Sequence, residues 1–145
     1  MNDNIHRILS SLQLDKDKIY SSIFESTTQT EEIELREKNA SKRQNKDFLK
    51  IIPQHHSIPV MDHEVCRALS MIPSNAIILD VGGGIGWHWR HLYRDRPDIS
   101  VVILDFIRSN LLRTKGFLEK MINHQIFLVH GDATQLPFPN NSFEL

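Results

Sequence analysis

The spacing of apolar residues changes several times along this chain, and each change marks a boundary. Ile5, Ile8, Leu9 and Leu12 recur at helical spacing, as do Ile19 and Ile23, which predicts two short amphipathic helices. From Glu31 to Asp47 the apolar residues thin to Ile33, Leu35 and Ala40, the pattern of a solvated helix or a linker. The run Pro53-Gln54-His55-His56-Ser57-Ile58-Pro59 interrupts the helical pattern, because each proline biases its predecessor toward extended backbone. Asp62 is then placed to cap a helix carrying Val65, Ala68, Leu69 and Ile72 on one face, with Pro73-Ser74-Asn75 turning the chain out of it.

Beyond that turn the pattern becomes that of strands alternating with helices. Ile77 to Val81, Val101 to Asp105 and Ile126 to His130 are short, continuous apolar runs, suited to strands covered on both faces. Between them, residues 86–95 and 110–123 read as helices, the first stopped by Pro97 and the second striped by Leu111, Lys115, Leu118 and Ile122, with Gly116 a mild weakness. This order predicts an α/β fold with a parallel sheet and right-handed crossovers. Residues 1–52 form a separate compositional unit, with no glycine or proline and nine basic against nine acidic residues. We expect a helical N-terminal arm or lid over 1–52, a linker over 53–61, and the α/β domain from 62 to 145.

Chemistry concentrates in the turn after the first of these strands, Asp80-Val81-Gly82-Gly83-Gly84-Ile85-Gly86. Glycines let backbone approach a ligand without interference from Cβ, and strand-to-helix turns of this kind hold nucleotide-like molecules. A dinucleotide fingerprint needs G-x-G-x-x-G, yet both available registers put an indole, Trp87 or Trp89, in the last position. The spacing Asp80-x-Gly82-x-Gly84-x-Gly86 instead resembles motif I of the class I S-adenosylmethionine-dependent methyltransferases. Asp105, closing the second strand nineteen residues after Gly86, is placed to accept hydrogen bonds from both hydroxyls of a ribose. After the third strand, Gly131-Asp132-Ala133 and the stretch Leu136-Pro137-Phe138 followed by Ser142-Phe143-Glu144-Leu145 are similar to the post-strand motifs of the ubiquinone/menaquinone-biosynthesis type.

The resemblance runs from about Asp62 to Leu145. It implies S-adenosyl-L-methionine as cofactor and a Rossmann-like parallel sheet, of which this sequence holds about three strands and the start of a fourth, preceded by N-terminal helices. It also implies that Gly82, Gly84 and Gly86 wrap the methionine moiety, that Asp80 organises the loop and the amino group, that Asp105 holds the ribose, and that Asp132 with Ala133 faces the adenine. Gly83 falls at a variable position and is expected to add only flexibility. The expected reaction is methyl transfer to a small-molecule acceptor by in-line displacement, where positioning supplies much of the acceleration. A general base is needed only where the acceptor must lose a proton, and no residue is assigned to that role. Because the family's sheet has seven strands, a C-terminally truncated chain, inactive alone, is the expectation.

Composition narrows the remaining classes. With 40% hydrophobic and 24% charged residues the chain reads as an ordinary globular protein, and a formal net charge of −1 supplies no field for nucleic acid. No stretch approaches the length needed to span a bilayer and no signal-like segment opens the chain, so a cytoplasmic location is expected. Cys66, the single cysteine, reads as a small core residue. His88 and His91 stand three apart without a third ligand nearby, and His55, His56 and His63 follow no ligand spacing, so no metal site is expected. Two rival readings stand beside the methyltransferase: a noncatalytic methyltransferase-like fragment, and a dinucleotide-binding oxidoreductase domain. The pattern carries no information on oligomeric state.

Overall fold

The computed structural model describes residues 3–22, 34–35, 38 and 57–145. Its centre is a five-stranded sheet with β1 (Gln13–Leu14), β2 (Ile19–Ser21), β3 (Ile77–Val81), β4 (Ser100–Asp105) and β5 (Ile126–His130). The spatial order is β1-β2-β5-β4-β3. Strands β2, β5, β4 and β3 run parallel, and β1 folds back antiparallel on β2. The three strands expected from apolar runs are present, each within a residue of its predicted bounds, in a Rossmann-like α/β arrangement.

Alternation along the strands divides the core into two layers. Ile78, Val101, Ile103, Ile126 and Leu128 pack on one face with α2 (Ser57–Met71), α3 (Leu92–Asp95) and α4 (Arg108–Phe117). Ile77, Val102, Leu104, Phe127 and Val129 pack on the other with Ile5, Ile8 and Leu9 of α1 (Asp3–Leu9), and Phe138 and Phe143, edge to face with each other, lean on this layer. Such two-sided burial explains why the strands read as unbroken apolar runs rather than as alternating ones. Every residue of β4 is buried, as befits the middle of a parallel ladder.

The N-terminal segment departs from the expected pair of helices. Residues 13–21 form a hairpin whose second strand pairs with β5, Ile19 opposite Leu128 and Tyr20 opposite Val129, and Ile19 is fully buried. A three-residue strand is too short to show alternation, and its pairing lies a hundred residues away. The hairpin turn is built by Asp15, whose Oδ1 accepts from the N–H groups of Asp17 and Ile19. Arg108, the first residue of α4, bridges Asp15 at 2.6 Å and Asp17 at 2.8 Å. Ile23, the stretch 31–47 apart from three positions, and the prolyl segment up to residue 56 lie outside the described residues.

Three further boundaries differ from the expectations. Helix α2 begins at Ser57, five residues before Asp62, because Pro59 sits in the first turn, where backbone N–H groups have no helical partner to lose. Cys66 lies on the exposed side of this helix rather than in the core, while Leu69 is buried. Residues 86–95 form a 3-10 turn at Trp87–Trp89 and then the four-residue α3, not one helix. On the free side of β3, Glu144 donates its N–H to Ile77 O at 3.0 Å and Leu79 N–H reaches Leu145 O at 2.8 Å, so the Ser-Phe-Glu-Leu stretch runs along that edge.

If β2 is an integral strand, Ile19→Ala should cost about 2–5 kcal/mol, the range for truncating a fully buried isoleucine. Chemical denaturation measures it, and a loss below 1 kcal/mol, roughly the scale of a surface substitution, would show that the hairpin is peripheral.

Candidate cofactor site

Three turns meet at the carboxyl ends of β3, β4 and β5, and backbone hydrogen bonds join them. Gly82 N–H donates to Leu104 O at 2.8 Å, and Gly131 N–H donates to Asp105 O at 3.3 Å. The glycine loop, the turn after Asp105 and the Gly131-Asp132-Ala133 turn therefore lie side by side, which the parallel register of Val81 with Leu104 and of Asp105 with His130 requires.

Asp105 is the node of this arrangement. The residue is 6% exposed. Oδ2 accepts from Gly84 N–H at 2.9 Å, and Oδ1 accepts from Ile107 N–H at 2.7 Å and from Asn110 Nδ2 at 3.4 Å. Burial pushes its pKa above the usual carboxylate range; the N–H donors of Ile107 and Gly84 and the Asn110 amide oppose that shift, and the nearby charge of Asp80 adds to it.

Asp80 sits beneath the loop rather than at its mouth. Its Oδ2 accepts from Trp89 Nε1 at 2.8 Å and from His88 Nε2 at 2.9 Å. Both donors come from the 3-10 turn Trp87–Trp89 that follows the loop. Arg90 follows, stacked 4.6 Å above the Trp87 ring and paired with Asp62 of α2 at 2.5 Å. A cavity of about 250 Å³ lies between α2 and this segment, lined by Asp62, Leu69, His88 and Trp89 among others, and it includes none of Gly82, Gly84, Asp105 or Asp132.

The glycines are not equivalent. Gly82 and Gly84 adopt positive φ, 69° and 59°, with open space where a Cβ would stand, so a ligand can approach them closely. Gly83, expected to add only flexibility, has a steric duty: a Cβ there would lie 2.2 Å from Asp80 Oδ2. Gly86 also has a positive φ, 62°, but it is buried, and a Cβ there would meet Thr114 Cγ2 at 2.9 Å and Ile103 Cδ1 at 3.0 Å, so conformation and packing both call for glycine. Asp132 Oδ1 accepts from the N–H and the hydroxyl of Thr134, both at 2.8 Å, which hold its pKa low. Ala133 is exposed beside it.

The structure thus brings Gly82, Gly84, Asp105, Asp132 and Ala133 to one edge and places Asp80 and Gly86 underneath as supports. Sequence reasoning missed Asn110, Thr114 and the roles of His88 and Trp89. Thr114, fully buried, takes the place on the α4 stripe that was assigned to Lys115, which is half-buried and 3.8 Å from Asp17. A polar residue three after Leu111 and four before Leu118 was the available signal. Among the described residues no group of three or more His, Cys, Asp or Glu is arranged to hold a metal ion, and no helix is long and apolar enough to cross a membrane.

The parallel sheet thus carries a glycine turn after β3, an acidic residue closing β4 and a Gly-Asp-Ala turn after β5. Residues 78–145 match the family described as a methyltransferase domain. The ubiquinone/menaquinone biosynthesis C-methyltransferase UbiE of Pseudomonas aeruginosa strain LESB58 is 32% identical over 78 residues, which cover 52% of this chain and 30% of that protein. The Pseudomonas paraeruginosa UbiE gives the same identity and coverage. In fold, the chain is similar to a Methanococcus maripaludis structure described as an S-adenosyl-L-methionine-dependent methyltransferase, with TM-score 0.56 and 18% identity, over 84% of this chain and 51% of that one. Over residues 78–145, a little under half of the chain, the sequence is thus similar to a methyltransferase domain, whose class uses S-adenosylmethionine as cofactor. The chain spans less than a third of the length of the curated relatives it matches.

Two outcomes test this geometry. Gly83→Ala should displace Asp80 and release Trp89, costing about 1–3 kcal/mol as overpacking does. A red shift in tryptophan emission at a temperature where the variant is still folded is the expected sign, and unchanged emission would contradict the contact. The second concerns pH. Because the folded chain holds the Asp105 proton more tightly than the unfolded chain, Asp105's contribution to stability is fully present below 3.8 and is lost as pH rises through its raised folded value. Asp105→Asn should remove that downward slope from the stability profile, and parallel profiles for the two proteins would refute the shift.

Proposed function

We propose that the whole protein transfers a methyl group from S-adenosylmethionine to a small-molecule acceptor, and that Asp80, Gly82, Gly84, Gly86, Asp105, Asp132 and Ala133 form its cofactor site. The observation that supports this most is the convergence of Gly84 and Asp105. The two open, positive-φ glycines face the edge where a ligand's chain can lie against backbone, while Asp105 stands at the tip of β4 within reach of a diol. Half-buried Asp132 and exposed Ala133, on the neighbouring turn, fit an adenine with its amino group. Three N–H donors already occupy Asp105, and a carboxylate offers about four acceptor positions, so a ribose diol would share or displace the Gly84 bond.

In this reading, bound S-adenosylmethionine supplies a methyl carbon already made electrophilic by its sulfonium. The chain's own residues bind and align. The loop fixes the amino-acid portion through backbone, Asp105 holds the sugar, and Asp80, locked by His88 and Trp89, keeps the loop in place from below. Such alignment can be worth about 7–11 kcal/mol in favourable systems. A small-molecule acceptor is the reading favoured by similarity to the UbiE proteins, which their name describes as biosynthetic C-methyltransferases. The dinucleotide reading is weakened by an observed feature: a 3-10 turn and a four-residue helix follow the glycine loop, whereas pyrophosphate binding uses the N-terminus of a well-formed helix.

Isothermal titration with S-adenosylhomocysteine should give saturable binding that NAD does not compete for. Asp105→Ala should weaken it by about 1.5–3 kcal/mol, the loss of hydrogen bonds to a charged group. Absence of binding to a full-length protein, or equal binding by the folded variant, would overturn the proposal.

A further inference from the structure

We infer that Thr114, outside the ligand edge and thirty residues from the loop, is a positioning residue that sets the Gly84 peptide for cofactor binding; this rests on the methyltransferase reading above. Thr114 lies in the middle of α4 and has no exposed surface. Its Oγ1 is 3.0 Å from Asn110 O, the ordinary resort of a threonine inside a helix, and 2.9 Å from Gly84 O. A hydroxyl carries one proton. Asn110 O already has the helical N–H of Thr114 as its donor, by the i to i−4 pattern of α4, so the proton does more for the Gly84 carbonyl.

The consequence falls on a single residue. Gly84 N–H is committed to Asp105 Oδ2 and Gly84 C=O to Thr114 Oγ1, at a φ of 59° that only glycine adopts without strain. With both peptide groups anchored, the loop presents the open Cα side of Gly84 outward in one orientation. The Thr114 methyl does a second job, since Cγ2 stands 2.9 Å from where a Gly86 Cβ would be and closes that packing. A β-branched side chain has a restricted χ1, so hydroxyl and methyl are committed together, one to each glycine.

The two arms can be separated by substitution. Thr114→Val keeps the shape and removes the donor, whereas Thr114→Ser keeps the donor and removes the methyl. The test is calorimetric titration of S-adenosylhomocysteine into the full-length protein and both variants, with melting temperatures measured alongside. The expected result is a dissociation constant raised about ten-fold in Thr114→Val, from a part-buried carbonyl left without its donor, and a near-parental one in Thr114→Ser, although serine should melt no higher than valine. Affinity would then follow the hydroxyl while stability follows the packing. Equal affinity in all three proteins would overturn the inference, and so would a loss confined to serine, which would assign the effect to the methyl. If Thr114→Val does not fold, Thr114→Ala compared with Thr114→Ser isolates the same hydroxyl. Failure of the parent itself to bind would overturn the methyltransferase reading, and this inference with it, whereas binding that ignores the hydroxyl removes this inference alone.

Discussion

A carboxylate buried at the end of a parallel sheet has to be solvated by the chain that buries it, and that requirement organises this structure. Asp105 has almost no contact with solvent, so its charge depends on N–H groups brought from elsewhere. Gly84 comes from the loop after β3, Ile107 from the turn before α4 and Asn110 from α4 itself. The Asp105 carbonyl meanwhile takes the N–H of Gly131. One residue thus ties together the three turns proposed to hold the methionine, ribose and adenine portions of the cofactor. The cost of that burial appears as the raised pKa, with the second carboxylate, Asp80, adding to it from beneath the loop.

Two acidic residues with different surroundings divide the work. Asp80 is bonded by two ring N–H groups, those of Trp89 and His88, and shapes the turn that follows the loop. Asp105 is bonded mainly by backbone N–H and shapes the loop itself. Gly83 permits the first by leaving room for the Asp80 carboxylate, and Gly84 permits the second by adopting a left-handed conformation. A loop containing three consecutive glycines is therefore held more tightly than its composition implies, with each residue limited by a different contact.

The parts of the fold legible in the sequence were those specified locally. Ile77 to Val81, Val101 to Asp105 and Ile126 to His130 announced themselves as apolar runs because both faces of the sheet are covered. Asp105 was legible from its distance beyond the glycine loop. Ile19 was not, because spacing with Ile23 imitated a helix while the actual strand has three residues and draws its stability from β5. The helix expected over residues 86–95 is a 3-10 turn and a short helix instead, with His88 and Trp89 turned back to Asp80, a contact that no periodicity encodes. Thr114 escaped because a polar residue on a buried stripe is conspicuous only once its distant partner, the Gly84 carbonyl, is known.

The central claim is that the buried Asp105 carboxylate holds the glycine loop through Gly84. Its most direct test is NMR observation of the Gly84 amide across the acid range. The account predicts an amide protected from hydrogen exchange, whose chemical shift titrates together with the Asp105 side-chain carboxyl at a pKa above the ordinary aspartate value. A Gly84 amide that exchanges as fast as an open loop, with a shift indifferent to Asp105 ionisation, would contradict it.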